Sequence, residues 1–133
     1  MKCILTTTNK SFSRILIMLR YIQKSGETYL DSVFEGIGYS GSGPGHNNGS
    51  LEGTPNIGPI PKGGYNIGVP RNSETLGPLV FDLNPVGHDA HGRTLFRIHG
   101  DNVTHTASHG CIILGRAIRE YIAKSGVRHL EVI

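Results

Sequence analysis

Over most of the chain, apolar positions fall in short runs bounded by glycine, proline and small polar residues, a spacing that predicts strands joined by turns. The run Ile15-Leu16-Ile17-Met18-Leu19, inside Arg14–Gln23, is too short for periodicity to separate strand from helix. The turn residues Lys24-Ser25-Gly26-Glu27 and the β-formers from Thr28 to Phe34 follow it, so the pair is expected as a hairpin. Further strands are expected at Tyr65–Val69, at Leu79–Leu83, at the alternating stretch Thr94–His99, and at Leu130–Ile133, with Pro70-Arg71-Asn72 as a turn. One segment, Gly115–Ser125, reads as helix: Ala117, Ile118, Tyr121 and Ile122 make an apolar face, and Gly126 stands at the stop position.

Between positions 36 and 64 the pattern breaks, with ten of the 19 glycines and four of the seven prolines in that stretch. A flexible glycine-serine linker would lack the apolar anchors Ile57, Ile60 and Tyr65, so the segment reads as a long ordered loop beside a binding site. A chain of 133 residues, 37% hydrophobic and 17% charged, fits one folded domain. The expected organisation is an N-terminal extension over 1–18 and a mostly β domain over 19–133, with one C-terminal helix.

Charge and termini narrow the classes. The net charge is +3 and the pI near 9.0, compatible with an anionic polymer as partner, but the basic residues are scattered and no run of them interleaves with aromatics. No nucleic-acid partner is expected. Lys2, Lys10 and Arg14 precede the first apolar run, yet that run falls short of the roughly 7–15 residues of a signal core and has no small-residue cleavage site after it. No stretch approaches the roughly 20 apolar residues of a membrane helix. The expectation is a soluble monomer without an export signal or membrane insertion. Two cysteines, Cys3 and Cys111, do not make a disulfide scaffold, and Cys3 reads as an incidental thiol.

The densest chemistry lies in Phe96-Arg97-Ile98-His99-Gly100-Asp101-Asn102 and Ala107-Ser108-His109-Gly110-Cys111-Ile112-Ile113-Leu114. A cysteine becomes a useful nucleophile when an imidazole takes its proton and a third group orients that imidazole. His99, at the end of an expected strand, is the candidate base for Cys111, reached by a turn that returns the chain. Gly110 allows a sharp bend that aims backbone N–H groups at a developing oxyanion. Ser108 and His109 are close enough in sequence to line the same pocket. Asp101 is a candidate either to orient His99 or to cap a turn.

Ser108-His109-Gly110-Cys111 resembles the active-site motif of the YkuD-type L,D-transpeptidases, in which an upstream histidine-glycine pair, here His99-Gly100, partners the motif cysteine. Pro61-Lys62-Gly63-Gly64-Tyr65-Asn66-Ile67 resembles that family's core-strand signature. Gly38-Tyr39-Ser40-Gly41, Asn47-Asn48, Gly58-Pro59-Ile60-Pro61 and His99-Gly100-Asp101 are similar to one branch, the L,D-transpeptidase effectors delivered by type VI secretion. The likeness implies an L,D-transpeptidase β-sandwich and a cysteine enzyme with Cys111 as nucleophile and His99 as base. Ser108, His109, Gly110, Gly100 and Asp101 would line its site, with Tyr39, Ser40, Asn48 and Arg97 as candidates for substrate contact.

The implied reaction is L,D-carboxypeptidase trimming or D-amino acid exchange on peptidoglycan tetrapeptide stems, through a thioester and without metal or organic cofactor. The implied setting is an antibacterial toxin made in the bacterial cytoplasm and acting in the periplasm of a target cell, with an immunity protein and a secretion-apparatus partner. Two departures stand out. The histidine-to-cysteine spacing is shorter than usual, and Ile113 stands where housekeeping members often carry Arg or Asn, leaving Arg97 or Arg116 to hold the substrate carboxylate.

Two rivals from other classes are a non-catalytic peptidoglycan-binding module and a zinc-dependent hydrolase using some of His88, His91, His99, His105, His109 and Cys111. His88-Asp89-Ala90-His91 is flanked by glycines, against a zinc-binding helix. The glycine-rich loop lacks a P-loop ending, since Gly63 follows Lys62.

Overall fold

The computed structural model describes residues 17–133, and these hold ten strands and a single α-helix. The first three strands, β1 (Met18–Tyr21), β2 (Glu27–Leu30) and β3 (Val33–Ile37), make an antiparallel meander. The expected 1–18 extension, with Cys3, falls outside the described residues except for Ile17 and for Met18, which opens β1. The run expected as a single strand from Thr28 to Phe34 is broken at Asp31 (φ 49°) and Ser32 (φ 70°). Left-handed backbone at both central positions suits the twist of a two-residue hairpin turn.

The chain continues through β4 (Tyr39–Ser40), the glycine-rich loop, β5 (Gly63–Ile67), β6 (Arg71–Ser73), β7 (Gly77–Val86), β8 (Phe96–His99), β9 (Ile112–Ile113), α1 (Arg116–Ser125) and β10 (His129–Val132). Hydrogen bonding runs in the order β3-β2-β1-β10-β5-β7-β8-β9-β4, with β6 paired on β7. Arg71-Asn72, expected in a turn, thus belong to a short edge strand. Alternate residues supply the core: Leu19 and Tyr21, Tyr65 and Ile67, Phe81 and Leu83, Phe96 and Ile98, and Leu130 and Val132 all lie in one buried cluster with Leu30, Ile112 and Ile122. Strands from near both ends of the path feed that cluster, so the open sheet curls over its own apolar face.

The helix lies where the 3.6-residue pattern puts it, between Gly115 and a left-handed Gly126 (φ 71°) whose N–H returns to the Ala123 carbonyl. Its buried face is rotated from the expected one. Ile122 is buried and Ile118 and Ala123 pack on the core, whereas Tyr121 is half exposed and Arg119 is buried. Arg119 is satisfied there by carbonyls: Nε donates to Leu114 (2.9 Å), and Nη1 to Pro78 (2.9 Å) and Leu79 (3.1 Å). Leu79 (φ 61°) marks an irregularity in β7 that leaves consecutive Val80 and Phe81 both buried.

The glycine-rich segment is an ordered loop. Ile60 is fully buried, and a side chain at Gly58 would collide with the Leu51 carbonyl. Glycine there permits two backbone stretches to touch.

Candidate active site

Strands β8 and β9 run parallel, with Ile98 opposite Ile112 and His99 opposite Ile113. Parallel neighbours need a connection of about a dozen residues or more, which the link from His99 to Cys111 supplies. The chain therefore loops out and re-enters in the same direction, where the sequence suggested a returning turn. Ile98 and Ile112 point into the core. Pleating then puts Arg97 and His99 on the opposite face of β8, with Cys111 beside Arg97.

On that face opens a cleft of about 420 Å³, walled by Leu95, Arg97, His99 and Cys111 on the strand side and by Asn56 and His109 on the loop side. Cys111 is partly exposed, and its Sγ points to the Leu95 carbonyl at 3.8 Å. Burial pushes the thiol above its ordinary range; the Arg97 backbone N–H and the charges of Arg97 and Arg93 pull the other way, and Asp82 adds to the rise. His99 is 3% exposed, and burial holds its imidazole below the ordinary histidine range, opposed by the Gly100 carbonyl. His99 Nδ1 lies 2.9 Å from that carbonyl. A carbonyl only accepts, so Nδ1 carries the proton and Nε2 keeps the lone pair that a base needs. Among the described residues the sulfur and the imidazole make no hydrogen bond to each other. Burial thus disfavours the charged form of both the thiol and the imidazole, which line one wall of the cleft.

Several residues expected at the site act behind it. Ser108 is fully buried: its Oγ donates to the Cys111 carbonyl (2.6 Å) and accepts from the N–H groups of Gly41 (2.9 Å) and Gly110 (3.1 Å). The Gly110 amide is therefore already engaged. Ser40, also buried, donates through Oγ to the Gly110 carbonyl (3.3 Å) and accepts from the Ile60 N–H (2.8 Å). Gly110 itself lines the cleft at φ 131°, and a side chain there would collide with Arg93 Nη2.

Asp101 does not orient His99. Its carboxylate accepts from Tyr39 Oη (2.6 Å) and the Asn102 N–H (2.8 Å) and pairs with His105 Nδ1 (2.7 Å). Burial and that carboxylate push the Tyr39 hydroxyl up to about 12, so it remains a donor, and it also accepts from the Ala107 N–H (3.1 Å). Tyr39 and Asp101 thereby pin the loop between β8 and β9. Gly100 contributes its carbonyl to His99. Asn48 caps a short turn, with Oδ1 accepting from Ser50 and Nδ2 donating to the Pro44 carbonyl (3.0 Å). Ile113 is buried in the sheet, and Arg116 pairs with Glu120 (3.0 Å) on the outside of α1, so Arg97 is the one of the two arginines that reaches the cleft.

Sequence reading missed Arg93. This buried guanidinium donates from Nη1 to the Glu52 (2.6 Å) and Pro59 (2.8 Å) carbonyls and from Nη2 to those of Gly58 (3.1 Å) and His109 (3.3 Å). It ties the glycine-rich loop to the segment before Cys111. Nothing in the surrounding His91-Gly92-Arg93-Thr94 marks it, because its partners are backbone atoms. The histidines considered for zinc have separate partners: His88 meets the Gly64 carbonyl (2.9 Å), His91 meets Glu52 (2.8 Å) and His109 faces the Asn56 carbonyl (3.4 Å). Among the described residues, no three His, Cys, Asp or Glu side chains converge as metal ligands.

The Tlde1 domain matches residues 35–132 of this chain. Among solved structures, similarity extends to the L,D-transpeptidase LdtMt1 in complex with imipenem, at 14% identity and a TM-score of 0.46, over 88% of this chain and 58% of that one. An L,D-transpeptidase from Mycobacterium smegmatis is similar at 14% identity and a TM-score of 0.44, over the same shares. The chain thus spans little more than half the length of these structures. No curated protein matches the sequence. With the domain match covering well over half of the chain and taking in His99, Ser108 and Cys111, the chain belongs to the Tlde1 domain family.

Proposed function

We propose that this protein is a peptidoglycan L,D-carboxypeptidase and exchange transpeptidase, with Cys111 as nucleophile and His99 as base. The observation that carries the reading is a single cleft wall holding a partly exposed thiol and an imidazole whose Nδ1 is engaged by the Gly100 carbonyl, which leaves Nε2 to act as base. In this reaction the Cys111 sulfur attacks the carbonyl of the third stem residue as His99 Nε2 takes the thiol proton. The C–N bond to the terminal D-alanine then breaks, and His99 returns the proton to the departing amine. Water resolves the thioester to a tripeptide; a D-amino acid resolves it to an exchanged tetrapeptide. Burial disfavours the charged form of each group, the thiolate and the imidazolium alike. The setting that fits a Tlde1 domain is delivery into a target cell, action on its wall, and an immunity protein in the producer.

Purified tetrapeptide muropeptides, incubated with and without a D-amino acid and weighed by mass spectrometry, test the reading. Wild-type protein should release D-alanine, and Cys111→Ala should lose at least about 10³-fold in rate while keeping its circular dichroism. A non-catalytic wall-binding module would form neither product and would bind sacculi equally well with alanine at 111. Turnover that survives in Cys111→Ala ends the thioester account.

A further inference from the structure

Beside the cysteine cleft lies a second groove of about 350 Å³, sharing the segment from Thr94 to Arg97 as a common wall. Its chemistry is an unequal charge cluster. Asp82 and Arg97 are directly opposed on β7 and β8, and Arg71 reaches over from the edge strand β6. Asp82 Oδ1 accepts from Arg71 Nη2 (2.8 Å) and Arg97 Nε (3.3 Å), and Oδ2 accepts from Arg71 Nε (2.9 Å). One carboxylate thus faces two guanidinium groups. Neither terminal nitrogen of Arg97, nor Nη1 of Arg71, has a partner among the described residues.

The opposite arm of the cleft differs. It runs past Pro55, Asn56 and His109, and the arginine behind it, Arg93, already spends both terminal nitrogens on four carbonyls. Around the two grooves, terminal guanidinium nitrogens without a partner among the described residues therefore lie on one side, on Arg97 at the shared wall and on Arg71 beyond it. Planar guanidinium forks suit carboxylates, and partial exclusion from water strengthens such bonds.

We infer that the Arg71–Asp82–Arg97 groove is a subsite for the free α-carboxylate at the C-terminus of the cleaved stem, and for the same carboxylate on the free amino acid that replaces it. The inference rests on the proposed function and adds to it a rule of selection. Leaving amine and incoming amine occupy one place on either side of the thioester, so one carboxylate site serves both steps. Asp82 holds the two guanidinium groups together and keeps the groove from carrying two uncompensated charges. The groove selects stems that end one residue beyond the cut, since a longer stem or a blocked end puts an uncharged amide where the guanidinium groups lie.

The test compares kcat/KM for a tetrapeptide muropeptide with that for the same molecule bearing a C-terminal carboxamide, and for one amidated on the side-chain carboxylate of its third residue. Wild-type protein should favour the free terminus by about 10-fold or more. Arg71→Gln and Arg97→Gln should each bring that ratio to about 2-fold or below, and Arg97→Lys should fall between. Arg71 and Asp82 form an exposed pair, so Arg71→Gln is expected to fold. A wild-type protein that cleaves both termini alike, or an Arg71→Gln protein that keeps the wild-type ratio, overturns the subsite and leaves the proposed function standing. A ratio that responds in the variants to side-chain amidation alone gives the groove to that other carboxylate and also overturns it. Wild-type protein that cleaves no stem at all removes both readings.

Discussion

The two walls of the cleft are built on different principles. The strand wall, β8 with the start of β9, takes its shape from pleating: Ile98 and Ile112 go into the core, and Arg97, His99 and Cys111 are thereby presented to the other side. The loop wall, from Gly41 to Ile60, has no such alternation. Its backbone is held by buried polar side chains that reach it from outside, chiefly Arg93, Ser108 and Ser40. On the strand wall the apolar pattern fixes where the chemistry points. On the loop wall a few hydrogen-bonding side chains do so, and each has several backbone partners at once. Single substitutions should therefore damage the loop wall more than the strand wall.

The largest effect is expected at Arg93. Arg93→Met keeps the length and apolar body of the side chain but leaves the carbonyls of Glu52, Pro59, Gly58 and His109 without their guanidinium donor. Losing such a buried charged hub should cost about 3–5 kcal/mol, read as a fall in Tm of about 10 °C or more. Limited proteolysis should place the first cuts between Gly41 and Pro59. A Tm within a degree or two of wild type would mean that the loop wall holds itself.

Ser108→Ala comes next, because its hydroxyl bonds the loop wall at Gly41 and the strand wall at Cys111 together. Without it the buried N–H groups of Gly41 and Gly110 lose their acceptor, and the Cys111 carbonyl loses its donor. A loss of about 2 kcal/mol is expected, together with a drop in kcat/KM that exceeds the drop produced at Ser40, since the displaced carbonyl belongs to Cys111 itself. Equal activity in the two alanine variants would show that the Ser108 bond serves folding only.

What the sequence revealed follows the same division. The helix ends, the Phe96–His99 part of the strand expected over Thr94–His99, and the arrival of its histidine on one wall with Cys111 were legible because period and motif act through neighbouring residues. The parallel return of β9 was not, since a loop of that length permits either direction. The roles of Ser108, Ser40 and Asp101 were read as site-lining or substrate contact from their place in motifs, whereas their hydroxyls and carboxylate are spent on backbone and on Tyr39. Arg93 and Arg119 were invisible for one reason: a guanidinium bonded to carbonyls has partners that no side-chain pattern encodes. The buried face of α1 shifted from the expected one because Arg119 occupies part of it.

The smallest effect, and the one that best separates the walls, concerns Leu95. It is 71% exposed at the cleft mouth and sits at φ 67°, where a branched side chain is rarely found. Such a conformation costs about 1–3 kcal/mol, while glycine adds about 0.5–1 kcal/mol of unfolded-state entropy. Leu95→Gly, which buries little less apolar surface, should therefore leave Tm unchanged or raise it by a few degrees. In this conformation the Leu95 carbonyl accepts from Cys111 Sγ at 3.8 Å. If the strand wall stores that strain for chemistry, kcat/KM should fall severalfold in the variant even as stability holds or rises, because the freed backbone no longer fixes the carbonyl against the thiol. A variant that is both more stable and fully active would mark the strain as incidental and would leave the pleat of β8 and β9, with the Ser108 bond to the Cys111 carbonyl, to position the sulfur.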